Sequence, residues 1–109
     1  MKRLIIKNEV AKQDLIDIAL YLGAENPAFA EKFLDVAEED FQRLAEMPGL
    51  GSPRTIGPND PIHVRMWPVS DFRNYLIFYQ STDEELIIIR VLHGARDIER
   101  ILEMETDEE

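Results

Sequence analysis

Two histidines and a late cluster of arginines are the side chains of this sequence best equipped for chemistry. His63 and His93 are its only histidines. A histidine of ordinary pKa, about 6.5, can both give and take a proton near neutrality. Arg65, Arg73, Arg90 and Arg96 lie in the same half of the chain, and a guanidinium can stabilise developing negative charge. Arg65, Arg90 and Arg96 with His93 would therefore suit proton transfer on an anionic substrate. Arg90, His93 and Arg96 also have structural alternatives. Arg90 can anchor a sheet to an acid such as Asp14 or Asp17. His93 and Gly94 can form the turn that leaves a strand. Arg96 and Asp97 can be an ion pair and cap at a helix entry.

Other chemistries are poorly supplied. The chain has no cysteine, so disulfides, thiolate metal sites and a thiol nucleophile are excluded. Gly49, Gly51 and Gly57 are not followed by the Gly-Lys-Ser/Thr of a phosphate-binding loop. No Ser, His and Asp stand in a hydrolase-like order. Asp and Glu on the expected helices lack histidine companions and read as solvated faces, so neither metal nor cofactor is expected.

The chain has 109 residues and a net charge of −10, from 12 basic and 22 acidic residues. That is the length of one domain, 1–109, with one modest core. Its hydrophobic share of 45% argues against a disordered chain. Residues 1–7 carry +3, residues 9–46 carry −7, and residues 97–109 carry −6. Residues 62–96 balance four acids against four arginines. So acidic a chain is not expected to bind nucleic acid strongly, because phosphate binding needs Lys and Arg. No signal-peptide core or membrane-length apolar run is present. Together with the missing cysteines, this leads us to expect a cytoplasmic protein.

The elements that must position these residues follow from periodicity. Lys2 to Lys7 reads as a strand, expected at a sheet edge, and Asn8 as the N-cap of a helix over Glu9–Leu22. Ala11, Leu15, Ile18, Ala19 and Leu22 form its apolar stripe, with Asp14 and Asp17 on the wet side. Gly23 is expected to end this helix. Asn26 and Pro27 read as N-cap and first residue of a second helix. Its stripe is Ala30, Phe33, Leu34, Ala37, Phe41, Leu44 and Ala45, and Glu31, Asp35, Glu38, Glu39 and Asp40 mark its outer side. The two helices should form an antiparallel hairpin. Met47 to Pro61, with its prolines and glycines, reads as an irregular loop.

The period then changes to two. Ile62, Val64 and Met66 alternate with His63, Arg65 and Trp67, and Pro68 should end that strand or place it near an edge. Asn74–Gln80 is a second strand with faces Tyr75/Ile77/Tyr79 and Leu76/Phe78. Glu85–His93 is a third, apolar on both sides. If regular, it sets Leu86, Ile88, Arg90 and Leu92 against Ile87, Ile89, Val91 and His93. Arg90 and His93 would then meet only if a bulge turned the chain. Asp97 should cap a short helix through Ile98, Ile101 and Leu102, and the acidic tail, about 103–109, should fray. The fold class is α+β: an N-terminal strand and helical hairpin packed on a small antiparallel sheet, with a short C-terminal helix. Trp67 and Phe72 lie outside the cleanest apolar faces, either as partner anchors or as the rim of the core.

Three segments in this order resemble the RelE/ParE superfamily of bacterial toxins, most nearly its ParE branch. They are Ala11-x-x-Asp14-Leu15-x-x-Ile18-x-x-Tyr21, Leu44-x-x-x-Pro48-x-x-Gly51, and Arg90-Val91-Leu92-His93-Gly94-Ala95-Arg96-Asp97. The resemblance covers roughly residues 4–98. It implies the toxin of a type II toxin–antitoxin system, silenced by a cognate antitoxin. ParE-type members inhibit DNA gyrase, whereas RelE-type members cut messenger RNA on the ribosome.

For the ribonuclease alternative the residues would be Arg65, Arg90, His93 and Arg96. No tyrosine follows Tyr79 and no lysine follows Lys32, so the late aromatic acid and the Lys-rich patch of the RelE branch have no counterpart. The expected activity is therefore gyrase binding without a catalytic residue. A non-toxic member that only binds its antitoxin is a third reading. Trp67, Phe72, Arg73 and Tyr75 are the expected contacts with antitoxin or target. The acidic surface would complement a basic antitoxin segment.

Overall fold

The computed structural model describes residues 2–54 and 64–101. The proposed strand residues Ile62 and His63, the helix residue Leu102 and the acidic tail lie outside the described residues.

The chain opens with β1 (Leu4–Lys7). Asn8 caps α1 (Glu9–Glu25), its side chain accepting from the Ala11 amide at 2.9 Å. Helix α1 does not stop at Gly23. It runs to Glu25, and Asn26 alone joins it to α2 (Pro27–Glu46). The Asn26 amide donates to the Leu22 carbonyl while its side chain accepts from the Ala28 amide. One extended residue thus ends one helix and begins the next. Gly23 serves the hairpin by its lack of bulk: a Cβ there would lie 3.1 Å from the Ala30 Cβ.

The loop after α2 is more regular than its composition suggests. It holds a 3₁₀ turn over Pro48–Leu50 and a short strand, β2 (Ser52–Arg54). Next come β3 (Val64–Val69), β4 (Phe72–Ser81) and β5 (Glu85–His93). Pro68 lies inside β3 and does not end it. The β3–β4 register shifts between Pro68 and Val69, a place where a residue without an amide hydrogen is tolerated. Residues 98–101 form a final helical turn.

The sheet order is β1-β5-β4-β3-β2. The last four strands are antiparallel neighbours, and β1 occupies the edge as expected. However, β1 pairs with β5 in parallel, so the sheet is mixed. Each short connection reverses the chain. The helices α1 and α2 and the strands β2, β3 and β4 intervene between β1 and β5. Five intervening elements make six reversals, and an even number leaves the first and last strands pointing the same way.

The hairpin covers one face. Phe33, Phe41, Leu44, Ile77, Tyr79, Leu86 and Ile88 are wholly buried there. Leu34, placed in the stripe by spacing, is exposed, and Val36 takes its place inside. Asp40, expected on the wet side, is wholly buried. Its carboxylate accepts from the amide and hydroxyl of Ser70, each at 2.8 Å, and from Arg43. It fixes the β3–β4 turn to α2, where Asp71 adopts a left-handed φ of 67°. A buried carboxylate persists because its lone pairs are satisfied. On the other face of the sheet a smaller cluster gathers Val64, Phe78, Leu92 and Ile101.

Candidate functional site

The end of β5 is where the chemistry-bearing residues collect, and a bulge decides how. Phe78 pairs with Arg90 but Tyr79 pairs with Ile88, leaving Ile89 as the extra residue. The bulge reverses the alternation. Leu86 and Ile88 face the helices before it, and Val91 faces them after it. Leu92 and Ile89 belong to the opposite face. The regular grouping of Leu86 with Leu92, and of Ile89 with Val91, is therefore corrected. Arg90 and His93 both reach groups on the helix side.

Arg90 forms a two-pronged bond with Asp14. Its Nε lies 2.9 Å from Oδ2 and its Nη2 3.0 Å from Oδ1. Asp14 is buried rather than solvated. The ladder with β1 ends at Lys7 opposite Ile88, so beyond it β5 has no strand neighbour on that side among the described residues. The Val91 amide instead donates to Asp14 Oδ2 at 3.0 Å. The carboxylate thus pairs the arginine and completes the backbone. The hydrogen bonds donated to Asp14 hold the Arg90 guanidinium above its ordinary pKa, against the effect of burial. Asp17 stays exposed and accepts from Gln13.

His93 sits where the strand becomes a turn. Its Nδ1 accepts from the amides of Ala95 and Arg96, at 3.2 and 2.8 Å. The hydrogen of the neutral ring is thereby assigned to Nε2. The ring stands edge-on to Tyr75, 5.0 Å between centroids. Asp97 does not cap the final turn with its side chain, which accepts from the His93 amide. Nor does Arg96 pair with Asp97. Its guanidinium lies 4.5 Å over the Tyr21 ring and 5.7 Å from that of Tyr75.

Arg65 is turned elsewhere. It donates to the Gly51 carbonyl at 2.6 Å, on the β2 side of the sheet. Gly51 also explains the second motif, which spacing alone could not. The Tyr79 hydroxyl accepts from the Gly51 amide at 2.9 Å and donates to the Pro48 carbonyl at 2.6 Å. Burial pushes the Tyr79 phenol above its ordinary 10.0, against the Gly51 bond and Arg65.

The four residues named for contact divide by exposure. Tyr75 is buried and meets Phe33 edge-on at 5.5 Å. Phe72 and Trp67 are partly buried and pack against the main core, Phe72 edge-on to Phe33 at 5.4 Å. Arg73 is exposed. Phe72, Arg73 and Tyr75 line an open cleft of about 520 Å³ with Leu22, Asp71, Asn74 and His93. Spacing placed Leu22 in the apolar stripe of α1 but did not assign it, Asp71 or Asn74 to a site, since nothing local links the end of α1 to the start of β4. No cluster of His, Asp and Glu among the described residues could hold a metal. No helix among them is long and apolar enough to cross a membrane.

A strand and helical hairpin on a mixed five-stranded sheet, with a polar turn closing the last strand, define a small α+β fold. The family model for the ParE toxin of the type II toxin–antitoxin system, parDE, matches residues 5–98, and the chain belongs to that family. Among solved structures it is similar to the chromosomal ParDE TA system from P. aeruginosa. That likeness has a TM-score of 0.65 at 19% identity, covering 84% of this chain and 96% of the other. It bears on the fold alone. No curated protein matches the chain.

Proposed function

We propose that this chain is the toxin of a cytoplasmic two-gene pair, neutralised by a cognate antitoxin, and that it stops growth by binding DNA gyrase. One observation carries the choice of a binding toxin over a ribonuclease. Three of the four groups a ribonuclease site would use are bonded within the protein, and the fourth is stacked. Arg90 is held by Asp14, Arg65 by the Gly51 carbonyl, and Nδ1 of His93 by two amides. Arg96 lies over Tyr21. Binding a protein target needs none of these groups to be free. The missing late tyrosine and lysines point the same way.

The test is to induce the chain alone in a bacterial host and follow growth together with plasmid topology. Growth arrest with lost negative supercoiling or accumulated cleaved DNA is the expected result. Arrest with normal topology and fragmented messenger RNA would reject gyrase as the target in favour of ribonuclease action. Soluble, folded protein without arrest would mean that the chain only binds its antitoxin.

A further inference from the structure

The cleft beside His93 has a chemistry unlike the rest of this acidic protein. Its apolar wall is Leu22, Phe72 and Tyr75. Around that wall stand three groups that can donate hydrogen bonds. Arg73 is exposed and, among the described residues, makes no hydrogen bond or ion pair. The Asn74 carbonyl is taken by the Gly94 amide at 2.7 Å, while its side-chain amide has no partner among the described residues. His93 spends Nδ1 on the turn, which leaves the Nε2 hydrogen as a donor. One carboxylate, Asp71, shares the rim, and it faces Lys32 at 4.0 Å.

We propose that this cleft is the anchor for a carboxylate-bearing residue, flanked by an apolar one, in the segment of the antitoxin that lies on the toxin. The inference rests on the toxin–antitoxin reading above and adds the chemistry of one contact. The charges argue for it. The helical hairpin repels an acidic side chain, since residues 9–46 carry −7. A mainly basic segment would be drawn to that surface at long range. An acid in it would find a favourable seat beside Arg73, and this would set the register of the whole segment. A guanidinium suits the role because it can grip both oxygens of a carboxylate. The apolar neighbour would fill the wall of Leu22, Phe72 and Tyr75.

The test uses the full chain and the protein encoded beside its gene, with affinity measured by titration calorimetry. Arg73→Glu should weaken binding at least about tenfold, and Arg73→Lys should recover part of the loss. Arg100→Glu makes the same charge change on an exposed residue outside the cleft and should leave affinity within about twofold. An acid-to-lysine change in the partner segment that restores binding to Arg73→Glu would identify the anchored residue. Equal weakening by Arg73→Glu and Arg100→Glu would overturn the anchor, since only net charge would then matter. Undiminished binding by folded Arg73→Glu would also overturn it while leaving the toxin reading intact. Failure of the unaltered chain to bind its neighbour at micromolar concentration would reject the toxin–antitoxin reading and the anchor with it.

Discussion

The Gly51 amide donates to the Tyr79 hydroxyl at 2.9 Å across 28 positions of sequence. The same hydroxyl donates to the Pro48 carbonyl at 2.6 Å, so one phenol satisfies both ends of the turn after α2. Gly51 has an ordinary backbone, φ −74°, so space is what it contributes. A Cβ there would lie 2.8 Å from the Met66 carbonyl oxygen and still closer to the Tyr79 hydroxyl. Gly51→Ala should therefore break the contact and lower stability by about 2 kcal/mol. Tyr79→Phe, which leaves a buried amide and carbonyl unpaired, should cost about 1–3 kcal/mol. Urea denaturation of each variant measures this. If the losses in the double variant simply added, the two residues would not share one interaction.

That phenol also predicts a pH dependence. Burial raises the Tyr79 pKa above 10.0 in the folded protein. The folded state therefore holds its proton more tightly than the unfolded state does. The stabilisation is complete below pH 10 and is lost as pH rises through the folded pKa. Chemically, the phenolate can no longer donate to the Pro48 carbonyl. Comparing the denaturation midpoint at pH 9 and pH 11 should show a larger drop for the unaltered protein than for Tyr79→Phe. Equal drops would mean that other groups carry the alkaline loss.

The Asp14–Arg90 pair should be costly to break from either side. Asp14→Ala leaves the Arg90 guanidinium and the buried Val91 amide without their acceptor. Arg90→Ala leaves a buried carboxylate without its counter-charge. Losses of about 3–5 kcal/mol are expected for each. The double variant should be less damaged than the sum of the two, by about 1 kcal/mol or more. Strict additivity in a chemical denaturation cycle would contradict a shared buried contact.

The same pair shows what the sequence could and could not reveal. Asp14 was one of two acids proposed for Arg90, yet its helical position placed it on the wet side. Periodicity locates the apolar stripe but does not register a carboxylate at its margin, and Asp40 was misplaced for the same reason. The alternation of β5 was correct up to Ile88 and inverted beyond the bulge. A single extra residue leaves no mark in the apolar pattern when both faces are apolar. Gly23 carried a genuine signal with the wrong cause, because a glycine needed for close helix packing looks like one that ends a helix. By contrast, the helices, the three late strands and their order were legible, since two clean periods and short turns leave few alternatives. The cleft was legible only in part. Phe72, Arg73, Tyr75 and His93 were marked by residue type, whereas Leu22 and Asn74 join them only through the tertiary fold.

The dual character of His93 allows its structural and chemical roles to be separated. Its Nδ1 accepts from the Ala95 and Arg96 amides, so His93→Ala would loosen the turn and confuse any loss of activity with loss of structure. Asn offers a side-chain oxygen to nearby amides and favours such turns, but it has no ionisation near neutral pH. His93→Asn should keep the turn and remove any acid or base. A gyrase-binding toxin should then still arrest growth and alter plasmid topology at nearly the unaltered dose of inducer. Were His93 the general acid of a ribonuclease, activity would fall by about 10²–10⁴-fold. Induction of His93→Asn beside the unaltered chain, with matched soluble protein and equal melting temperatures, decides between the two. Lost arrest in a variant that melts normally would place His93 in the chemistry.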